Sequence, residues 1–190
     1  MPDTSRSRNP FLDAIELVLR VARQGQFRVA LIGGFALPFH GVRRATGDVD
    51  FLVDASGSEP VHRALLAAGA RCLHRSVDAA NYAAGTSRLA PLDFIYAHRA
   101  RARDMLQRAR PRPLRSARRR VPVVDAEALI GLKLQALVNA PSRRAQDEAD
   151  IRALFAARGN SLNDAIVRDY YRLFGLESRL DRLLAAAKKR

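Results

Sequence analysis

The segment from Arg28 to Asp54 constrains this chain more than any other. Arg28-Val-Ala-Leu-Ile is a short apolar run that ends in Gly33-Gly34, and thirteen residues separate Gly34 from Asp48. The apolar run before the glycines predicts a buried strand feeding a tight turn. Val49-Asp-Phe-Leu-Val-Asp alternates acidic and apolar residues, the two-residue period of a strand with one wet face. On such a strand Asp48 and Asp50 point the same way. Two carboxylates held side by side at neutral pH repel unless a cation sits between them. Oxygen ligands from aspartate, completed by water and phosphate, suit Mg²⁺ better than softer metals. Gly33 and Gly34, lacking Cβ atoms, let backbone N–H groups approach a phosphate closely.

The remaining pattern is mixed. Phe11 to Gln24 carries apolar residues at helical spacing with Gly25 where a C-terminal cap belongs. Phe35 to His40 reads as one or two helical turns, Pro60 to Gly69 as a helix, and Arg71 to Val77 and Leu89 to Ala97 as strands. From Arg99 to Arg120 arginine dominates, with Pro111 and Pro113 in the middle. A helix ending near Arg110 and an exposed connector are predicted there, with a subdomain boundary. Val121 to Val124 reads as a last strand, and Asp125 as the N-cap of a helix from Ala126 to Asn139. Helical patterns over Ser142 to Ala157, Ser161 to Phe174 and Glu177 to Lys189 follow, separated by Pro141, Gly159-Asn160 and Gly175. The expected fold class is α/β (α+β): a mixed sheet with flanking helices over 1–120, followed by a helical subdomain over 121–190.

With 190 residues the chain has room for one buried core and a helical appendage. No stretch is apolar enough to span a membrane, and Met1 to Arg8 lacks the apolar segment of a signal peptide, so a cytoplasmic protein is expected. The lone Cys72 excludes an internal disulfide and suits a reducing compartment. His40, His62, His74 and His98 show no metal-ligand spacing. The net charge is +14, which favours polyanionic partners, nucleic acid first among them. Arginine outnumbers lysine ten to one, a bias that base composition alone also produces. Arg43 and Arg44 either contact a triphosphate bidentately or balance local charge. The Arg99 to Arg120 run either grips an RNA backbone or, the reading favoured by its lack of interleaved aromatics for base stacking, serves non-specific electrostatics or an acidic protein partner.

Strand, Gly33-Gly34, a short helix and then Arg44-Ala45-Thr46-Gly47-Asp48-Val49-Asp50 on a second strand together resemble the DNA polymerase β-like nucleotidyltransferases. The Arg-x-Thr-x-Asp form is similar to that of small prokaryotic members. The resemblance implies a third carboxylate on a neighbouring strand, which Leu92-Asp93-Phe94-Ile95 supplies. It assigns Asp48, Asp50 and Asp93 to two Mg²⁺ ions (or Mn²⁺ in their place), with Asp93 accepting the proton of the attacking hydroxyl. Gly33, Gly34, Arg44 and Thr46 then belong to nucleotide binding.

A second resemblance lies in Leu129-Ile130-Gly131-Leu132-Lys133 and Arg143-Arg144-Ala145-Gln146-Asp147-Glu148-Ala149-Asp150. These are similar to helices of the nucleotidyltransferase toxins of bacterial type IV toxin–antitoxin pairs. It implies that Lys133 approaches the nucleotide phosphates and that Asp147 belongs to the active site. Lys133 is the only lysine before Lys188-Lys189. On the bare sequence an amphipathic helix leaves such a lysine solvated, and pairs Asp147 and Asp150 with Arg143, Arg144 or Arg152. Gln146 stands where relatives carry lysine, and Gly34 where many carry serine.

The implied activity is transfer of a nucleoside monophosphate from an NTP to an acceptor hydroxyl. The acceptor suggested by charge is RNA, such as a tRNA 3′ end, and the implied role is a toxin with a cognate antitoxin. Transfer of AMP to a protein, modification of an antibiotic, and a decayed nucleic-acid-binding module are the other readings.

Overall fold

The computed structural model describes residues 9–114, 119–140, 142 and 144–187. Met1 to Arg8, Pro141, Arg143 and Lys188-Lys189, which carried expectations above, lie outside the described residues. The chain divides into two compact units, one running to Phe35 and including Ala45–Val124, the other Ala36–Arg44 with the residues from Asp125 onward.

The first unit is built on a mixed sheet. Its elements are α1 (Pro10–Gln24), β1 (Val29–Leu31), β2 (Val49–Asp54), α3 (Ser58–Ala67), β3 (Arg71–Arg75), β4 (Ala79–Ala83), β5 (Leu92–Ala97), α4 (Ala100–Arg108), β6 (Arg110–Leu114) and β7 (Arg119–Val123). The one-turn α2 (Gly33–Ala36) carries the chain out of the unit. Among the described residues seven strands lie in the order β3-β4-β5-β2-β1-β7-β6. The pairs β2/β5 and β1/β7 are parallel and the others antiparallel.

Local signals account for most of these boundaries. Asn9 caps α1 by accepting a hydrogen bond from the Phe11 N–H, and Pro10 sits at the first helical position, where its missing N–H costs nothing. Val49, Phe51 and Val53 on alternate positions of β2 are buried, as is Leu52. Phe51 stacks on Phe94 at 5.9 Å, and Tyr82 meets Phe94 edge-on at 5.7 Å, tying β4, β5 and β2 into one core.

Two expectations are corrected here. Ala79–Ala83 was not foreseen as a strand; its Ala-Ala-Asn-Tyr-Ala sequence has little intrinsic strand preference and is held by pairing with β3 and β5. Arg110–Leu114 is not a connector but the edge strand of a hairpin with β7. Proline has no N–H to donate, and on this edge strand Pro111 and Pro113, alternating with Arg110, Arg112 and Leu114, can turn their nitrogens away from β7, where a sheet tolerates them.

The second unit is helical: a 3-10 turn at Leu37–His40, then α5 (Ala126–Asn139), α6 (Arg144–Arg158), α7 (Asp164–Leu173) and α8 (Glu177–Ala187). Asp125 caps α5 as predicted, accepting from Ala128 N–H at 2.8 Å. Asn163 caps α7 by accepting from Ala165 and Ile166. A Cβ at Gly131 would stand 2.7 Å from the ring of buried Tyr170. Gly131→Ala is therefore expected to cost about 1–3 kcal/mol through overpacking, measured as a lower urea midpoint, although alanine is the better helix former.

Candidate active site

The carboxylates singled out in the sequence come together in the first unit. Asp50 on β2 lies directly beside Asp93 on β5, and Asn81 on β4 lies on the other side of Asp93. Asp48 precedes β2 by one residue. One carboxylate oxygen of each of Asp48, Asp50 and Asp93 lies within 4.8 Å of the others. Such a spacing of hard oxygen donors fits a divalent ion of the Mg²⁺ type, and without a cation the three charges repel.

Neighbours orient each acid. The Thr46 hydroxyl donates to Asp48 Oδ1 at 2.6 Å, and Asn81 Nδ2 donates to Asp93 Oδ1 at 2.8 Å. Each bond occupies one oxygen and leaves the carboxylate's second oxygen to other partners. Asn81 escaped the sequence reading because only the strand order places it next to Asp93.

Gly33 connects the two sequence motifs physically. Its φ is +60°, and a Cβ there would lie 2.0 Å from Asp50 Oδ2. The Ile32 N–H donates to the Asp50 carbonyl at 3.0 Å, and Phe35 is stacked on Phe11 of α1 at 5.6 Å. The glycine is thus required both by its left-handed backbone and by the carboxylate packed against it. Gly33→Ala is expected to push Asp50 out of place, lowering stability by about 1–3 kcal/mol and weakening Mn²⁺ binding in calorimetry.

Lys133, Asp147, Asp150 and Arg44 form an ionic cluster within the second unit. Lys133 Nζ lies 3.0 Å from Asp147 Oδ1 and 2.5 Å from Asp150 Oδ2. Arg44 Nη1 lies 3.0 Å from Asp150 Oδ2, and Gln146 Nε2 donates to Asp150 Oδ1 at 3.2 Å. Lys133, Asp147 and Asp150 are 6%, 1% and 3% exposed, which corrects the picture of a solvated lysine. Two cations against two anions leave the cluster balanced, as burial of charge demands. The helix-surface pairing expected for Asp147 and Asp150 is replaced by these contacts, because both turn inward; Arg152 pairs with Glu148 instead. Asp147 Oδ2 is buried with no hydrogen-bond partner among the described residues.

The histidines have other occupations: His62 Nδ1 lies 2.9 Å from the Tyr82 hydroxyl, and His98 Nε2 lies 2.6 Å from the Val77 carbonyl.

No protein-family model and no curated protein matches the sequence. The fold is nonetheless that of the nucleotidyltransferases, a mixed α/β architecture. The solution structure of the antibiotic-resistance factor ANT(2'')-Ia superposes with a TM-score of 0.62 at 17% identity, covering 94% of this chain and 97% of that one. An antigenic nucleotidyltransferase-like protein from Paracoccidioides brasiliensis gives 0.55 at 16% identity, covering 92% and 91%. The lincosamide antibiotic adenylyltransferase LnuA, lincomycin-bound, gives 0.54 at 15%, covering 79% of this chain and 99% of its own. No helix among the described residues is long and apolar enough to cross a membrane.

Proposed function

We propose that this protein is an NTP-dependent nucleotidyltransferase that moves a nucleoside monophosphate to an acceptor hydroxyl and releases pyrophosphate. The observation that carries this reading is the carboxylate triad Asp48, Asp50 and Asp93, built against the left-handed Gly33. The three aspartates would hold Mg²⁺, one ion or the two the resemblance implies, with Mn²⁺ as substitute. Bound metal supplies charge neutralisation at the triphosphate and at the developing alkoxide. The protein's own part is positioning. Asn81 orients Asp93, which takes the proton of the attacking hydroxyl, and Thr46 orients Asp48. Gly33 and Gly34 offer backbone N–H groups to phosphate.

The resemblance assigns Lys133 to the nucleotide phosphates and Asp147 to the chemistry, and within the second unit Arg44 is linked to Lys133 through Asp150. The lone buried Asp147 Oδ2 supports a role for that residue beyond its ion pair.

For the acceptor we favour RNA, such as a tRNA 3′ end, because a field of +14 attracts polyanions and repels polycationic small molecules. A second reading, a small-molecule hydroxyl, is favoured by the likeness to an antibiotic-resistance factor over 94% of this chain and to a lincosamide antibiotic adenylyltransferase over 79% of it. A toxin role with a cognate antitoxin, in the cytoplasm, accompanies the RNA reading and rests on the motifs around Lys133 and Asp147.

The deciding experiment supplies each labelled NTP with Mg²⁺ and offers total RNA, then aminoglycosides and lincosamides, then cell protein. Labelled RNA with released pyrophosphate is the expected result. A labelled antibiotic establishes the second reading, and labelled protein a protein AMP-transferase. No product from any pool overturns nucleotidyl transfer and leaves a binding module.

A further inference from the structure

The positive charge is not spread evenly along the chain. Residues 99–120 hold ten arginines and one acid, Asp104, a balance of +9 out of the total of +14. The other 168 residues contribute only +5, so a genome-wide preference for arginine does not account for the concentration. The described residues of this stretch, 99–114 and 119–120, form α4, the edge strand β6 and the start of β7, all in the first unit. Arg99, Arg101, Arg103, Arg110, Arg112 and Arg120 are exposed there.

Main-chain carbonyls hold several of these side chains. Arg103 donates to the His98 carbonyl, Arg110 to those of Gln107 and Ala109, and Arg120 to that of Pro111 at 2.9 Å. A carbonyl fixes a guanidinium without cancelling its charge. Carboxylate pairing is seen for Arg108 with Asp104 and for Arg119 with Glu16. The surface is therefore an ordered, positively charged one.

We propose that the arginine-rich stretch of α4 and the β6–β7 hairpin grips the phosphate backbone of RNA. The inference rests on the reading of RNA as acceptor and deepens it by naming where the strand is held. Arg110 and Arg112 stand two residues apart on one strand, about 6.7 Å, comparable to successive phosphates along an extended nucleic-acid chain. Guanidinium forks match phosphate bidentately, whereas ammonium groups act as point charges. With Pro111 and Pro113 turning no N–H outward, the β6 edge cannot zip onto an acidic peptide strand, which disfavours a protein partner. The absence of Phe, Tyr and Trp from residues 99–120 makes the grip one of charge without base stacking, hence sequence-independent.

The test is fluorescence anisotropy with a labelled single-stranded RNA and with bulk tRNA, no NTP present, across a salt series. The variant is Arg103→Gln, Arg110→Gln, Arg112→Gln and Arg120→Gln combined, all exposed positions. Binding is expected to weaken about tenfold or more at moderate salt, with the slope of log affinity against log salt falling by about 0.7 per lost phosphate contact. If the combined variant does not fold, judged by circular dichroism, Arg110→Gln and Arg112→Gln singly must each reduce that slope. Unchanged affinity and slope overturn the proposal, as does polyglutamate displacing RNA at equal charge concentration. Asp50→Ala separates the two claims: if it binds RNA with the native salt slope and the wild type transfers no label to RNA, the grip stands while the acceptor reading fails.

Discussion

Asp50→Asn is expected to reduce nucleotidyl transfer by at least about a thousandfold, or roughly 4 kcal/mol of transition-state stabilisation. The substitution keeps the shape that Gly33 is packed against and removes one of the three charges that would hold the metal. The fold should survive, since removing one of three mutually repelling carboxylates relieves repulsion when metal is absent. Calorimetry should show Mn²⁺ binding weakened or lost while the urea midpoint stays the same or rises. Asp93→Asn should do the same to turnover and leave Asn81 facing an amide in place of a carboxylate. Turnover of Asp50→Asn within tenfold of wild type would remove the triad from the mechanism.

The second large effect is expected from Lys133→Met. It leaves Asp147 without the cation it pairs with among the described residues and Asp150 with Arg44 and the Gln146 amide, both acids almost wholly buried. Breaking a buried pair in this way costs about 3–5 kcal/mol, because the surviving charge has neither water nor partner. Removing the partner as well should reverse most of it. In Lys133→Met with Asp147→Leu the remaining Arg44–Asp150 pair is balanced, and stability should return to within about 1 kcal/mol of wild type, read from urea unfolding. Turnover then separates architecture from chemistry. If Lys133 and Asp147 act on the nucleotide, the double variant is stable and still impaired; if they only hold the unit together, activity returns with stability.

The parts of this protein that were legible in advance are those governed by neighbours in the chain. Asp125 as the cap of α5 and Asn139 as its last residue followed from side-chain capping and apolar spacing. The β2 strand from Val49 to Asp54 followed from a two-residue alternation that few other conformations use. Asp93 was placed through resemblance, and the parallel pairing of β2 with β5 puts it beside Asp50. The arginine-rich stretch misled because two prolines ordinarily break an element. At a sheet edge their missing donors cost nothing, and no local pattern announces which strand will be the edge.

Sequence by itself determined the alternating acids, the glycine turn, the helix caps and a charge excess gathered into residues 99–120, all of which depend on spacing along the backbone. Only the tertiary structure decided what those residues touch. Strand order brings Asn81 to Asp93 and Gly33 to Asp50, and helix packing turns Lys133 inward to Asp147 and Asp150, where burial changes a solvated charge into one that must be paired.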